Sequence, residues 1–446
     1  MEAQWTLVVE GLGRIERAEV RIHPFMLFVG ENNSGKSYLA SLLWGLVSLE
    51  EEFFPQEVPT SDSYADCQRW LQDKLEQDTE SARHTLNQSD HELFFRWLNE
   101  NLSERKNLLA SRIFNLPEMK VGRIELKELR RSRPLTLHFN WWSSGRQFSR
   151  HSQDGMTLAA SKDALGSPHT HYWMIRRIAW RVVMGELGWK LSIYLPASRT
   201  GFVLLYKFVI SQLIDGLLEP SQAGEQPHLT NPAVHFLRQL AFLRHSEGRF
   251  QEEASLLEQG SLQGHVALES GIGVNELKYH PSGNAAPLSM ALSSSLVTEL
   301  APIILLLRHT ERLRLLVLEE PEAHLHPKVQ RLLAQTLVRL VRKGLPVWVT
   351  THSENFCQQI NNFLKLSQHP NRAELAQQLG YSEQDYLEPS EAVGVQFVTQ
   401  GATSTVTELE KSASGFTMPT FNEELMALSR ETLFLQREAA KPNEHD

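Results

Sequence analysis

The residues of this chain that can do chemistry fall into three short stretches far apart in sequence. The first is Gly30-Glu31-Asn32-Asn33-Ser34-Gly35-Lys36-Ser37. Glycines at those positions let backbone N–H groups turn inward and cradle phosphates at the start of a helix. Lys36 then supplies a positive charge between the β- and γ-phosphates of a nucleotide, and the Ser37 hydroxyl reaches Mg²⁺. The second stretch is the apolar run Leu315-Leu316-Val317-Leu318, which ends in Glu319-Glu320-Pro321. Glu319 is placed to hold the magnesium shell, and Glu320 to polarise an attacking water. The third is Pro346-Val347-Trp348-Val349-Thr350-Thr351-His352, a further apolar run whose histidine is placed to sense the γ-phosphate.

The elements that must position these residues are legible around them. Phe25 to Val29 is a continuous apolar run, read as a buried strand, and Tyr38 to Val47 is apolar in helical fashion. Strand, glycine loop and helix form the context a phosphate loop requires. Trp5 to Glu10 and Ala18 to Ile22 read as strands ahead of it. Between about Thr60 and Asn115, Trp70, Leu71, Leu75, Leu93, Phe94, Trp97, Leu98 and Leu102 recur at helical spacing, which predicts an inserted helical lobe. Short strands are predicted between Val121 and Phe148, with Trp141 and Trp142 as core or partner-facing aromatics. An amphipathic helix is predicted over 173–190, then a strand in LSIYLP, then a polar helical stretch from Phe208 to Gly260. The residues from about Gln436 onward are polar and expected to fray.

The chain has 446 residues and a formal net charge of −9, so a nucleic-acid contact would need a local basic patch. Arg123–Arg133 and Arg176–Arg181 are the richest basic runs, and both read first as solvated faces. Cys67 and Cys357 form no disulfide framework or zinc spacing, which fits a reducing cytoplasm. No run approaches the roughly 18 apolar residues of a membrane span, and no signal peptide is expected.

With "GENNSGKS", "LVLEEPEAHLHP" at Leu316 to Pro327, "VTTHSE" at Val349 to Glu354 and "LPASRTG" at Leu195 to Gly201, the chain resembles the ABC-type ATPases of the SMC and OLD class. The resemblance implies an α/β fold. It would be an ABC-type P-loop ATPase head with a mixed β-sheet, flanking helices and an N-terminal β-rich lobe. The whole of 1–446 would be one discontinuous head carrying helical insertions at 59–118 and 210–262. ATP and Mg²⁺ are the implied cofactors. The usual first acid of the pair is Asp, and Glu319 is compatible with holding magnesium through a bound water.

Heads of this class hydrolyse ATP only as dimers, through composite sites that a signature segment of the second copy closes. Leu288 to Ser295 is the matching segment, with Ser293, Ser294 and Ser295 as its contacts, although it lacks the glycine pair and glutamine of the transporter signature. Hydroxyls at a helix start can bind anions, and Pro302 is expected to kink or restart the helix that follows. His324 and His326 belong to the implied D-loop turn, since no third ligand accompanies them as a metal site would need.

OLD-family chains continue past the histidine strand into a Toprim nuclease. Here the later acids, Glu374, Glu383, Asp385, Glu388 and Glu391, are scattered and no Asp-x-Asp occurs. The expectation is therefore an ATP-hydrolysing sensor subunit, similar to Septu, PARIS and related stand-alone ATPases of anti-phage defence. It would form a homodimer or higher oligomer and control a separately encoded nuclease or toxin, with DNA or a phage protein as trigger and no membrane. An assembly scaffold with little hydrolysis and an SMC-like DNA-repair ATPase are the alternatives, and a transporter subunit ranks last.

Overall fold

Phe25-Met26-Leu27-Phe28-Val29 contains no polar side chain, and the structure buries the whole strand Phe25–Gly30. The computed structural model describes residues 1, 3–76, 81–142, 148–151, 155–164, 166–189, 191–218, 229–269, 275–283, 286–413 and 415–439. Alternate residues of the strand serve two cores. Met26 and Phe28 pack with Trp44 and Leu42 of the helix Lys36–Ser48. Phe25, Leu27 and Val29 pack on the opposite face with the helices Gln251–Ser261, Ser295–His309, Pro327–Arg342 and Glu354–Gln368. Leu313–Glu319 and Val347–Thr351 divide in the same way, Val317 and Trp348 to one face, Leu316, Leu318, Val347 and Val349 to the other. Each such side chain, fully buried, contributes about 1.5–3 kcal/mol. A strand paid out equally to both faces reads as a continuous apolar run rather than an alternation.

These strands belong to one nine-stranded sheet in the spatial order Arg123–Arg131, Ala3–Leu12, Ile15–Arg21, Thr403–Glu408, Ala392–Gln400, Phe25–Gly30, Val347–Thr351, Leu313–Glu319, Leu191–Leu195. The last five run parallel to one another. Arg123–Arg131, Ala3–Leu12 and Ile15–Arg21 are antiparallel neighbours and form the β-rich lobe. The fold is thus mixed α/β, with helices covering both faces of the parallel half.

Residues 59–118 contain the helices Asp62–Glu76 and Gln88–Phe114, the second started by a capping box in which Asn87 and Asp90 exchange hydrogen bonds of 2.9 Å. Between them lies a strand, Ser81–Thr85, that the helical reading does not foresee. It pairs with Thr136–Trp142 in a separate four-stranded sheet with Gly155–Ser161 and Phe148–His151. The side chains of Trp141 and Trp142, residues 219–228 within the second helical stretch, and the end of the tail from 440 lie outside the described residues.

The helix after the predicted signature segment decides against one of the two alternatives expected at Pro302. Ser295–His309 runs through Pro302 without restarting. Losing one backbone hydrogen bond and accommodating the ring costs about 3 kcal/mol. Eleven consecutive buried residues, Val297 to Leu307, offset it.

The basic runs are not solvated faces throughout. Arg177 pairs with Glu50 at 2.7 Å, Arg176 lies 5.1 Å over Phe54, and Arg181 is buried. In the other run, Arg131 donates to the carbonyls of Arg181 and Val182. Arg123 remains on the surface with Glu10 and Glu125. Among the described residues, no helix is long and apolar enough to cross a membrane.

Candidate nucleotide site

Register brings the chemistry-bearing strand ends to one level. Thr351 is paired with Val29, Thr350 with Glu319, and Leu318 with Leu195. Four parallel strands therefore end together. The crevice beyond their carboxyl ends is where open α/β sheets bind ligands.

The glycine loop leaves the first of these strands in conformations that side chains resist. Gly30 has φ 149° and a Cβ there would lie 2.6 Å from the Phe397 carbonyl oxygen. Gly35 has φ 102°, and its Cβ would meet Ile15 Cγ1 at 2.8 Å. Asn33 takes φ 61°, which asparagine tolerates better than most residues. Gly35 also starts the helix Lys36–Ser48 without a side-chain cap, and no acid stands in the first turn. That leaves the free amide end of the helix pointing at the loop.

Lys36 is buried, and its ammonium donates to the carbonyls of Gly30 at 3.0 Å and Glu31 at 2.7 Å, with Ser34 Oγ at 3.4 Å. Burial lowers its pKa to about 8, against the opposing charges of Glu320, Glu322, Glu319 and Glu31. Ser37, Glu31, Asn32 and Asn33 are exposed, and Ser34 is buried.

Glu319 and Glu320 face different surroundings. The Glu319 carboxylate is buried, accepting from the Tyr194 hydroxyl on one oxygen and from the Ala197 N–H at 3.0 Å on the other. Tyr194 lies 3.1 Å from Ser41 Oγ, one turn beyond Ser37 on the loop's helix. Glu320 has φ 40°, and its carboxylate lies 3.3 Å from His352 Nε2. The hydrogen bond with His352 holds its carboxyl below the usual range, with burial opposing and Lys36 and Arg199 adding to the effect. Lys36, Glu319, Glu320 and His352 thus converge on one crevice.

Four further residues, Glu322, Arg199, Glu299 and Thr200, hold this geometry and were given no role from sequence. Glu322 is buried, and one of its oxygens accepts from Thr351 Oγ1 at 2.6 Å and from the N–H groups of His352 at 2.8 Å and Ser353 at 3.1 Å. It fixes the turn that carries the histidine. Arg199 is fully buried and donates to the carbonyls of Glu319 and, at 3.1 Å, Glu320. It also pairs with Glu299 at 2.7 Å, and Thr200 donates to the same carboxylate at 2.7 Å. Glu299 lies in the first turns of Ser295–His309, so one buried ion pair joins the acid strand to the helix of the signature segment.

Ser293 and Ser294 do not join the crevice cluster. Ser294 stands at the N-cap position of the helix Ser295–His309 without a side-chain cap hydrogen bond and is exposed, while Ser293 Oγ donates to the Ser289 carbonyl at 3.0 Å. Their helix packs on the face of the sheet opposite the helix Lys36–Ser48. His324, at φ 58°, and His326, which accepts from the Lys328 N–H at 3.3 Å, form the turn into Pro327–Arg342. Among the described residues, no three His, Cys, Asp or Glu side chains gather to hold a metal.

The oxygen donors fit nucleotide-bound magnesium. Ser37 offers an exposed hydroxyl, and each Glu319 oxygen keeps a lone pair after its hydrogen bond, which suits a hard cation held partly through water.

Comparison with known proteins gives a family match over part of the chain and distant structural likenesses. No curated protein matches the sequence. Among solved structures, the chain is similar to an Smc head bound to the C-terminal domain of ScpA, derived from Pyrococcus furiosus, at 12% identity and TM-score 0.38, covering 97% of this chain and 100% of that one. It is similar to the SMC head domain from Thermotoga maritima at 12% identity and TM-score 0.34, covering 92% and 100%. A further SmcHead, bound to the C-winged helix domain of ScpA, matches at 12% identity and TM-score 0.35, covering 91% and 97%. Residues 243–357, which include Ser293, Ser294, Glu319, Glu320 and His352, match the family model of the AAA ATPase domain.

Proposed function

We propose that the chain binds and hydrolyses ATP with Mg²⁺ as a single discontinuous head, residues 1–446 with helical insertions at 59–118 and 210–262. Its nucleotide state would control a separately encoded effector in a prokaryotic anti-phage or DNA-surveillance system. The observation that carries the hydrolytic reading is the convergence of Lys36, Glu319, Glu320 and His352 beyond four parallel strand ends.

In this reading Gly30 to Ser37 hold the phosphates through backbone N–H groups and the Lys36 ammonium. Ser37 and Glu319 hold magnesium, which when bound supplies charge neutralisation on the phosphate oxygens. Glu320, ionised and steadied by His352, accepts a hydrogen bond from the attacking water and orients it. His352 stands where the γ-phosphate would be sensed. The half-buried Ser293 and exposed Ser294, just ahead of a helix across the sheet, would complete the site of a second copy, giving a homodimer or higher oligomer. The defence role rests on the likeness of "GENNSGKS" and "LVLEEPEAHLHP" to stand-alone ATPases of that class. DNA or a phage protein would act as trigger in the cytoplasm, and a nuclease or toxin would be the effector.

The test is ATP binding and turnover by the purified chain, with the native neighbours co-expressed for phage plating. Lys36→Ala should abolish both nucleotide binding and protection. Wild-type binding and protection in that variant would sink the proposal. The engagement of both Glu319 oxygens by Tyr194 and Ala197 favours a second reading, in which ATP is a structural ligand of an assembly scaffold and hydrolysis is slow. Rapid turnover that Glu320→Gln removes would count against it.

A further inference from the structure

The Arg123–Arg133 run, unused by the nucleotide reading, ends at a cavity. Ser132, Arg133, Glu186, Arg249, Arg314 and Gly344 line a volume of about 500 Å³. Arg314 lies at the start of the strand that ends in Glu319, and Gly344 precedes Val347–Thr351. The cavity therefore sits at the amino ends of the strands whose carboxyl ends form the crevice. It is a separate place on the molecule.

Its lining gathers three guanidinium groups against one carboxylate. Glu186 forms an ion pair with Arg314 at 3.9 Å, which leaves the other two guanidinium groups in excess. Arg249 donates to the Lys343 carbonyl and lies 5.1 Å over Phe250, so it is held in place while keeping further N–H donors. Arg133 is exposed, and among the described residues it has no hydrogen bond or ion pair. A surplus of positive charge in one concavity stands out in a chain of net charge −9. The volume falls in the range of small-molecule sites. The lining has no aromatic ring, so recognition there would come from charge and forked N–H donors and not from base stacking.

We propose that this cavity binds a small polyvalent oxyanion, a phosphate or diphosphate, either free or as the head group of a small organic molecule. Arg133 is its principal cation, and Arg249 and the Glu186-paired Arg314 complete the positive wall. A bound anion would tie together the amino ends of the strands that carry Glu319 and His352.

The experiment uses the full chain with Lys36→Ala, so that the phosphate loop does not compete for the probe. Inorganic pyrophosphate, glycerol phosphate and a short DNA duplex are titrated separately by calorimetry at low salt. Saturable pyrophosphate binding is expected, weakened roughly tenfold or more by Arg133→Ser and by Arg314→Gln. Arg123→Ser, in the same basic run but outside the cavity, should leave it unchanged. Thermal melts check that each variant is folded, and Arg133, being exposed, is the safer of the two. Tighter pyrophosphate than glycerol phosphate identifies a free oxyanion, and the reverse order an organic phosphate. No saturable binding, or equal affinity in the Arg133 and Arg314 variants, overturns the proposal. So does DNA binding that Arg123→Ser and Arg133→Ser weaken alike, which would mark an extended nucleic-acid surface. The outcome is independent of ATP hydrolysis, because the loop lysine is absent throughout.

Discussion

The crevice and the segment proposed to close it are built differently. The crevice half is closed on itself, with Lys36 on loop carbonyls, Glu319 on Tyr194 and Ala197, Glu320 beside His352, and Glu322 on the turn that carries that histidine. The signature half ends in an uncapped helix start with Ser294 and Ser295 exposed, preceded by Leu292 at 74% exposure. One half can be organised by a single copy. The other has its polar groups turned outward, and the buried Arg199–Glu299 pair is the contact through which an event there would be felt at Glu319 and Glu320.

The sharpest way to break this division is to disable each half separately. Glu320→Gln should lower turnover by about 10²–10⁴-fold, the range for a positioned general base, while ATP still binds. Unchanged turnover would remove Glu320 from the chemistry. Ser294→Arg should leave ATP binding by one copy intact and abolish turnover by blocking closure. Mixing Ser294→Arg with Lys36→Ala protein should then restore activity, since one site of the mixed dimer has a wild-type loop and a wild-type signature serine. If the mixture stays as inactive as its parts, the two halves do not meet across copies.

Arg199→Ala tests the link between them. Removing one member of a buried ion pair typically costs about 3–5 kcal/mol, and here it also frees two carbonyls at the acid strand. A lower melting temperature is expected. Arg199→Lys should recover part of that stability through its charge but less of the turnover, because one ammonium cannot reproduce the forked contacts. Equal recovery of both would make Arg199 a packing residue only.

What could be read in the sequence follows the distance over which each feature is determined. Gly30 to Ser37 is a contiguous loop whose residue types answer to local backbone needs, and the runs ending in Glu319 and His352 are short strands buried on both faces. Those were legible. Arg199 stood within the quoted "LPASRTG", yet its importance comes from Glu299 and the Glu319 carbonyl, far along the chain, and nothing local marks a buried charge. Ser81–Thr85 was read as part of a helical lobe because its partner strand, Thr136–Trp142, lies beyond the intervening helix. Pro302 left a restart of the helix open, and only the packing of the folded helix, which outweighs the local penalty, decides against it.

The smallest expected effect separates the chemistry of the loop from that of the acids around it. Burial holds Lys36 at a pKa of about 8 in the free protein, and bound phosphates would raise it by adding negative charge beside the ammonium. Protonated Lys36 is the form that binds, so affinity is complete below pH 8 and falls as pH rises through it. Between pH 7 and 9 the loss should be roughly tenfold, with uptake of a proton on binding. Glu320 does not share that window, because His352 holds its carboxyl below the usual range and it stays ionised throughout. Calorimetry with an ATP analogue, in buffers of different ionisation enthalpy, measures the proton directly, and Lys36→Arg should flatten the profile because a guanidinium keeps its charge. A pH-independent affinity with no proton uptake in the wild-type chain would mean that Lys36 is fully charged in the empty loop, held by Glu320, Glu322 and Glu319 more strongly than burial opposes them.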